Sequence, residues 1–127
     1  MSDTLAGIAL PAQLHWDDEF AWSPVGQAID VALDGALVVE ESAQQAGRPM
    51  TLRGGVDRAW AQRATVAQLY ALAAQPAQQH TLVYRGETYT VIFDRRSGAP
   101  VEARALWEDA EPEDTDDYEL TLRLLQV

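Results

Sequence analysis

Residues 118–127, YELTLRLLQV, alternate with a period of two: Tyr118, Leu120, Leu122 and Leu124 share one face, and Glu119, Thr121 and Arg123 the other. Successive side chains of an extended chain point to opposite faces, so this spacing specifies a β-strand. Near its end, Leu125 and Val127 add apolar side chains to the second face. A strand apolar on both faces has to be covered on both. Either it runs through the middle of a sheet, or a neighbouring subunit covers it. Free edges are normally blunted by charge, proline or a bulge, and this segment has neither proline nor glycine. In the subunit-covered case Leu124, Leu125 and Val127 are expected at an interface. Ahead of the strand, residues 108–117 (EDAEPEDTDD) hold seven carboxylates. That density reads as a solvated, self-repelling acidic loop, a flexible spacer before the strand.

Elsewhere the apolar runs are short and punctuated. Residues 1–11 read as a flexible arm, with little apolar content before Pro11. AQLHW (12–16) reads as a short strand, and DDEFAWSPVG as a loop broken by Pro24 and Gly26. In AIDVALDGALVVEES, Ile29, Val31 and Leu33 alternate before Asp34-Gly35, a pair that predicts a hairpin with a type I′ turn. MTLRGG (50–55) is a further strand. A helix is predicted over 65–75, because Val66, Leu69, Tyr70 and Ala73 share one face of a 3.6-residue period. Thr65 and Gln68 have capping-box spacing, and Pro76 ends the run. HTLVYRGETYTVIF predicts a second hairpin centred on Arg85-Gly86, and Val101, Ala103 and Ala105 mark another strand. Strands in runs, not alternating with helices, argue for one α+β, mostly β domain over residues 1–127. The expected form is an antiparallel β-sandwich or partly closed barrel of about seven to eight strands with one flanking helix.

The net charge is −11, and all nine basic side chains are arginines spread along the chain. A basic stripe for phosphates is absent, which argues against direct nucleic-acid binding. There is no cysteine, hence no disulfide or thiolate metal site. Neither a signal peptide nor a membrane span is expected, since the start lacks a basic region and no apolar run is long enough. Catalytic patterns are also wanting. His15 and His80 lie in strand-like stretches, and Ser2, Ser23, Ser42 and Ser97 sit in no nucleophile elbow. The acidic stretch lacks the glycine and ligand spacing of a calcium loop. No catalytic residue, metal or cofactor is therefore expected. Carboxylates such as Glu87 and Glu102 leave a glycosidase-like reading without a local pattern to select a pair. Of the tryptophans Trp16, Trp22, Trp60 and Trp107, Trp22 and Trp60 fall in loops or at helix entrances and are candidate interface anchors.

From residue 28 onward the order of pieces resembles a known family. A strand with Gly47, Thr51, Leu52 and Gly54 precedes a helix with Leu69 and Leu72. A hairpin with Tyr84, Gly86, Tyr89 and Val91 follows, and an alternating apolar strand closes the series. This is similar to the small tail proteins of tailed bacteriophages and prophages: the tail completion or terminator proteins, and the ring domain of distal tail proteins. The resemblance implies a structural virion component of the tail tip, baseplate or tail-completion ring, assembled in the bacterial host cytoplasm. It also implies a homo-oligomeric ring, other tail or baseplate proteins as partners, and no catalysis. Residues 1–27 and the acidic loop lie outside the family pattern. The charge supports an alternative, an acidic inhibitor or nucleic-acid mimic that binds a basic protein surface.

Overall fold

The computed structural model describes residues 3–43 and 47–127. In chain order its elements are β1 (Thr4–Leu5), β2 (Ile8–Ala9), β3 (His15–Trp16), β4 (Val25–Val31), β5 (Leu37–Ala43), β6 (Arg48–Arg53) and β7 (Trp60–Gln62). Helix α1 (Arg63–Ala73) follows, then β8 (His80–Tyr84), β9 (Glu87–Phe93), β10 (Val101–Ala105) and β11 (Asp117–Gln126). The fold is mostly β, antiparallel, with one helix, as the order of apolar runs predicts.

The alternating strand is β11, and it is central. Along one edge its first residues pair with β7 and its later ones with β6, from Asp117↔Gln62 to Gln126↔Arg48. Along the other edge β10 pairs with Tyr118 to Leu122, and β9 with Leu124 to Gln126. Its inward face carries Leu120, Leu122 and Leu124, packed with Met50, Leu52, Val91, Phe93 and, from the helix, Leu69. The first of the two alternatives is therefore the actual one. Leu124 is a core residue of its own chain at 1% exposure, not an interface residue.

The sheet runs β2-β1-β8-β9-β11-β6-β3, with β7 and β10 attached to β11. It curls without closing. β3 and β8 are four places apart in that order, yet the buried Tyr84 hydroxyl donates to the Leu14 carbonyl at 2.7 Å. Trp16 meets Tyr84 and Tyr89 edge-on at 6.2 and 6.0 Å between centroids. β4 and β5 form a separate two-stranded sheet.

Several expectations need correction. The described part of the supposed arm, residues 3–11, is a docked hairpin. Thr4 and Leu5 pair with β8, and Leu5 is wholly buried. The β4–β5 connection contains Asp34-Gly35 but is not type I′. Ala32 and Gly35 close a turn at 2.9 Å, Ala32 and Ala36 pair at 2.8 Å, and of the loop only Gly35 takes positive φ, at 85°. That is a three-residue loop with a glycine bulge. The β8–β9 turn is the type I′ one, with φ of 50° at Arg85 and 78° at Gly86.

Helix α1 starts two residues before the predicted Thr65. Its N-cap is Gln62, and no side chain caps it, so the Thr65–Gln68 capping box is not formed. Instead the acidic loop supplies the acceptors: Arg63 N–H donates to Asp116 O at 2.8 Å and Ala64 N–H to Asp114 O at 3.1 Å. The loop also binds itself, with Asp116 N–H on Glu113 O and Glu113 N–H on Asp116 Oδ2, both at 3.0 Å. Residues 108–117 are thus not a free spacer. They cap the helix, and their charge sits at the positive end of its dipole.

Candidate functional site

The β4–β5 hairpin is the unusual surface. Alternation and cross-strand pairing make it: Ile29 faces Val39 and Val31 faces Leu37 on one side, continued by Gln27 opposite Glu41. Gln27 Nε2 donates to Glu41 Oε1 at 2.9 Å. Every strand residue except Gly26 is exposed, so both faces are in solvent. Val31 is 71% and Leu37 63% exposed, and Leu33 at the tip is fully so. A two-stranded hairpin is marginal alone in water, and contiguous exposed apolar side chains of this kind mark either an interaction surface or an aggregation hazard.

The hairpin root is clamped. The Arg48 guanidinium lies 4.5 Å from the Trp16 ring centroid and 6.0 Å from that of Trp22. Trp22 precedes β4, and Arg48 follows β5. Trp22, predicted as an interface anchor, is half-buried and engaged by this cation–π contact in its own chain. Trp60 is exposed, and its indole N–H donates to Val56 O at 3.0 Å. It lines a shallow cleft with Val56, Leu106 and Trp107. Trp107, which the sequence did not rank above the others, is the more exposed of the two, at 70% against 44%. Leu125 is half-buried and Val127 exposed, so of the three strand-end candidates these two keep accessible surface.

A second open surface runs between α1 and β10. Val66, Tyr70 and Tyr118 line it with the β10 residues Val101 to Arg104. Tyr70 was expected on the packing face of the helix. Leu69 and Ala73 take that role, and Tyr70 stands out over the groove. The Arg63 guanidinium donates to the Tyr118 hydroxyl at 2.6 Å and flanks the helix side of the groove. Among the described residues β10 pairs only with β11. The bonds at Pro100–Arg123 and Leu106–Asp117 set the alternation. They turn the N–H and C=O of Val101, Ala103 and Ala105 away from β11, toward the open edge.

Apart from Tyr84, two titratable side chains are buried among the described residues, His80 and Asp94. His80 is buried edge-on to Phe93 at 5.3 Å, and its Nε2 has no hydrogen-bond partner. Desolvation, then the Arg95 charge, pulls its pKa below the usual imidazole value, so it is held neutral. Asp94 accepts from Arg96 Nε and Nη2, both at 2.9 Å, and these bonds hold its carboxyl below the usual carboxylate range. Glu102 pairs with Arg123 at 2.7 Å, whereas Glu87 faces the Tyr89 hydroxyl at 3.4 Å, so the two carboxylates have separate partners. Among the described residues no three His, Asp or Glu side chains cluster as a metal site. None of the described helices is long and apolar enough to cross a membrane. Comparisons with protein-family models, curated proteins and solved structures found no match.

Proposed function

We propose that this chain is a structural component of a bacteriophage or prophage tail, at the tail tip, baseplate or completion ring. It works by docking onto copies of itself and onto other tail proteins, with no bond-making. The observation that carries this reading is the β4–β5 hairpin, which among the described residues exposes Ile29, Val31, Leu37 and Val39 on a two-stranded sheet whose strand residues, Gly26 apart, all lie in solvent. Such a hairpin gains its burial only from another molecule, and exposed strand edges provide main-chain pairing to a partner. Order and spacing of the pieces from residue 28 onward, similar to small tail proteins, supply the setting.

The test is incorporation. Particles produced from a host carrying the chain with Ile29→Asp and Val39→Asp are compared with those carrying the unaltered chain. The unaltered chain is expected in purified particles at stoichiometric level, and the double variant is expected to be absent although folded and expressed. Finding the unaltered chain in no particle overturns the reading.

A further inference from the structure

We infer that the β4–β5 hairpin of one copy docks in the α1–β10 groove of a second copy, adding a strand to the open edge of β10. This rests on the assembly reading and names its contact. Four observations converge on it. First, both surfaces are open among the described residues, and both are apolar where they would meet: Ile29, Val31, Leu37 and Val39 on the hairpin, Val66 and Tyr70 in the groove.

Second, the main chains match. β10 turns the N–H and C=O of Val101, Ala103 and Ala105 outward. The Ala32–Ala36 pair fixes the hairpin's alternation in the same way. It leaves the backbone of Leu37, Val39 and Glu41, or of Ile29 and Val31, on the outer edges. The apolar side chains therefore belong to the residues whose backbone is free to pair.

Third, charge selects the groove over another hairpin. Residues 25–43 hold Asp30, Asp34, Glu40 and Glu41 and no basic residue. Two hairpins face to face would set these acids against one another, which is unfavourable across paired strands. The groove is of mixed charge: Arg104 lines it with Glu119 and with Glu102, which is paired with Arg123 at 2.7 Å, and Arg63 and Arg95 line the clefts that adjoin it. Fourth, hairpin and groove are different surfaces, so the contact is head-to-tail, the kind that propagates from copy to copy, into a ring where the rotation closes and a filament where it does not.

The absence of cysteine gives a clean test. Val39→Cys and Ala67→Cys place single thiols on the hairpin and on the exposed groove side of α1. The two variants are mixed in equal amounts and oxidised. The mixed dimer is expected to dominate. In sedimentation, Ile29→Asp with Val39→Asp is expected to weaken self-association on the order of a hundredfold or more, two buried aliphatic side chains being lost. Circular dichroism is expected to be unchanged, because those side chains touch no core. Predominant homodimers of the Val39→Cys variant would show hairpin-to-hairpin pairing and overturn the inference. So would a chain that stays monomeric, or a double variant that associates as well as the parent. If either is seen while the chain still enters particles, the tail reading stands and this contact falls. Mixed cross-links without particle incorporation would sink the tail reading and leave the contact.

Discussion

Leu124 and Val127 lie three residues apart at the end of one strand, and the structure assigns them opposite weights. Leu124 is 1% exposed and sits between Met50 on one neighbouring strand and Phe93 on the other. Leu124→Ala removes the isopropyl group, worth roughly 2.4 kcal/mol in transfer at about 0.8 kcal/mol per carbon. The cavity left between two close-packed neighbours raises the total to about 3–4 kcal/mol. Val127 is 44% exposed and pairs through its N–H with Thr90 O, a bond the substitution leaves alone. Val127→Ala should cost about 0.5 kcal/mol or less. Urea unfolding followed by tryptophan fluorescence measures both, since Trp16 is buried against Tyr84. With a slope of about 2 kcal/mol per molar urea, the Leu124→Ala midpoint falls by about 1.5–2 M and the Val127→Ala midpoint by about 0.25 M. Equal shifts, or a Leu124→Ala shift under about 0.5 M, would refute a central β11. Deleting residues 124–127 is consequently no test of assembly. It strips β11 of its pairing with β9 and half of that with β6, so the fold is lost first.

Two further outcomes follow from close contacts. At Gly54 a Cβ would lie 2.8 Å from the Ala59 carbonyl, a backbone atom that cannot swing aside. Gly54→Ala is expected to cost about 1–3 kcal/mol by the same urea assay, and a neutral result would mean that the loop at residues 54–59 is looser than described. His80 is held neutral, its pKa lying below the unfolded value near 6.5. The unfolded chain then binds the proton more readily, so stability is fully present above about pH 6.5 and declines as pH falls toward the lowered folded pKa. His80→Leu should remove that decline between pH 6.5 and the carboxylate range, and an unchanged pH profile would refute it.

Local pattern made much of the fold legible. β11 could be read because its alternation runs over ten residues, as in DYELTLRLLQ. The β8–β9 hairpin could be read because Arg85-Gly86 leaves only a two-residue turn between alternating runs. The first hairpin was not, because its strands are two residues each, too short for alternation to show, although Ala6-Gly7 makes the same kind of two-residue turn at φ 51° and 81°. The helix start was misplaced for a different reason. Its cap comes from carbonyls of Asp114 and Asp116, some fifty positions away, which no local motif reports. Least legible was the site. Ile29 and Val31 alternate like Leu82 and Tyr84, but the first pair is exposed and the second buried. Period identifies a face; it does not say what the face meets.

That distinction separates stability from the proposed assembly. Four strands pair with β11, two along each edge, and the apolar side chains they bring bury one another. The body therefore needs nothing from β4 and β5, which among the described residues pair only with each other. Selection on folding alone would let polar residues replace Val31, Leu33 and Leu37, since each exposed apolar side chain there is an aggregation hazard. Their presence beside Asp30, Asp34, Glu40 and Glu41 has a physical logic under the proposed docking. The acids keep free copies apart and soluble, whereas the apolar pairs add affinity once a groove of mixed charge with Val66 and Tyr70 in its wall is met. A hairpin serving only as a covalent spacer would have no use for both.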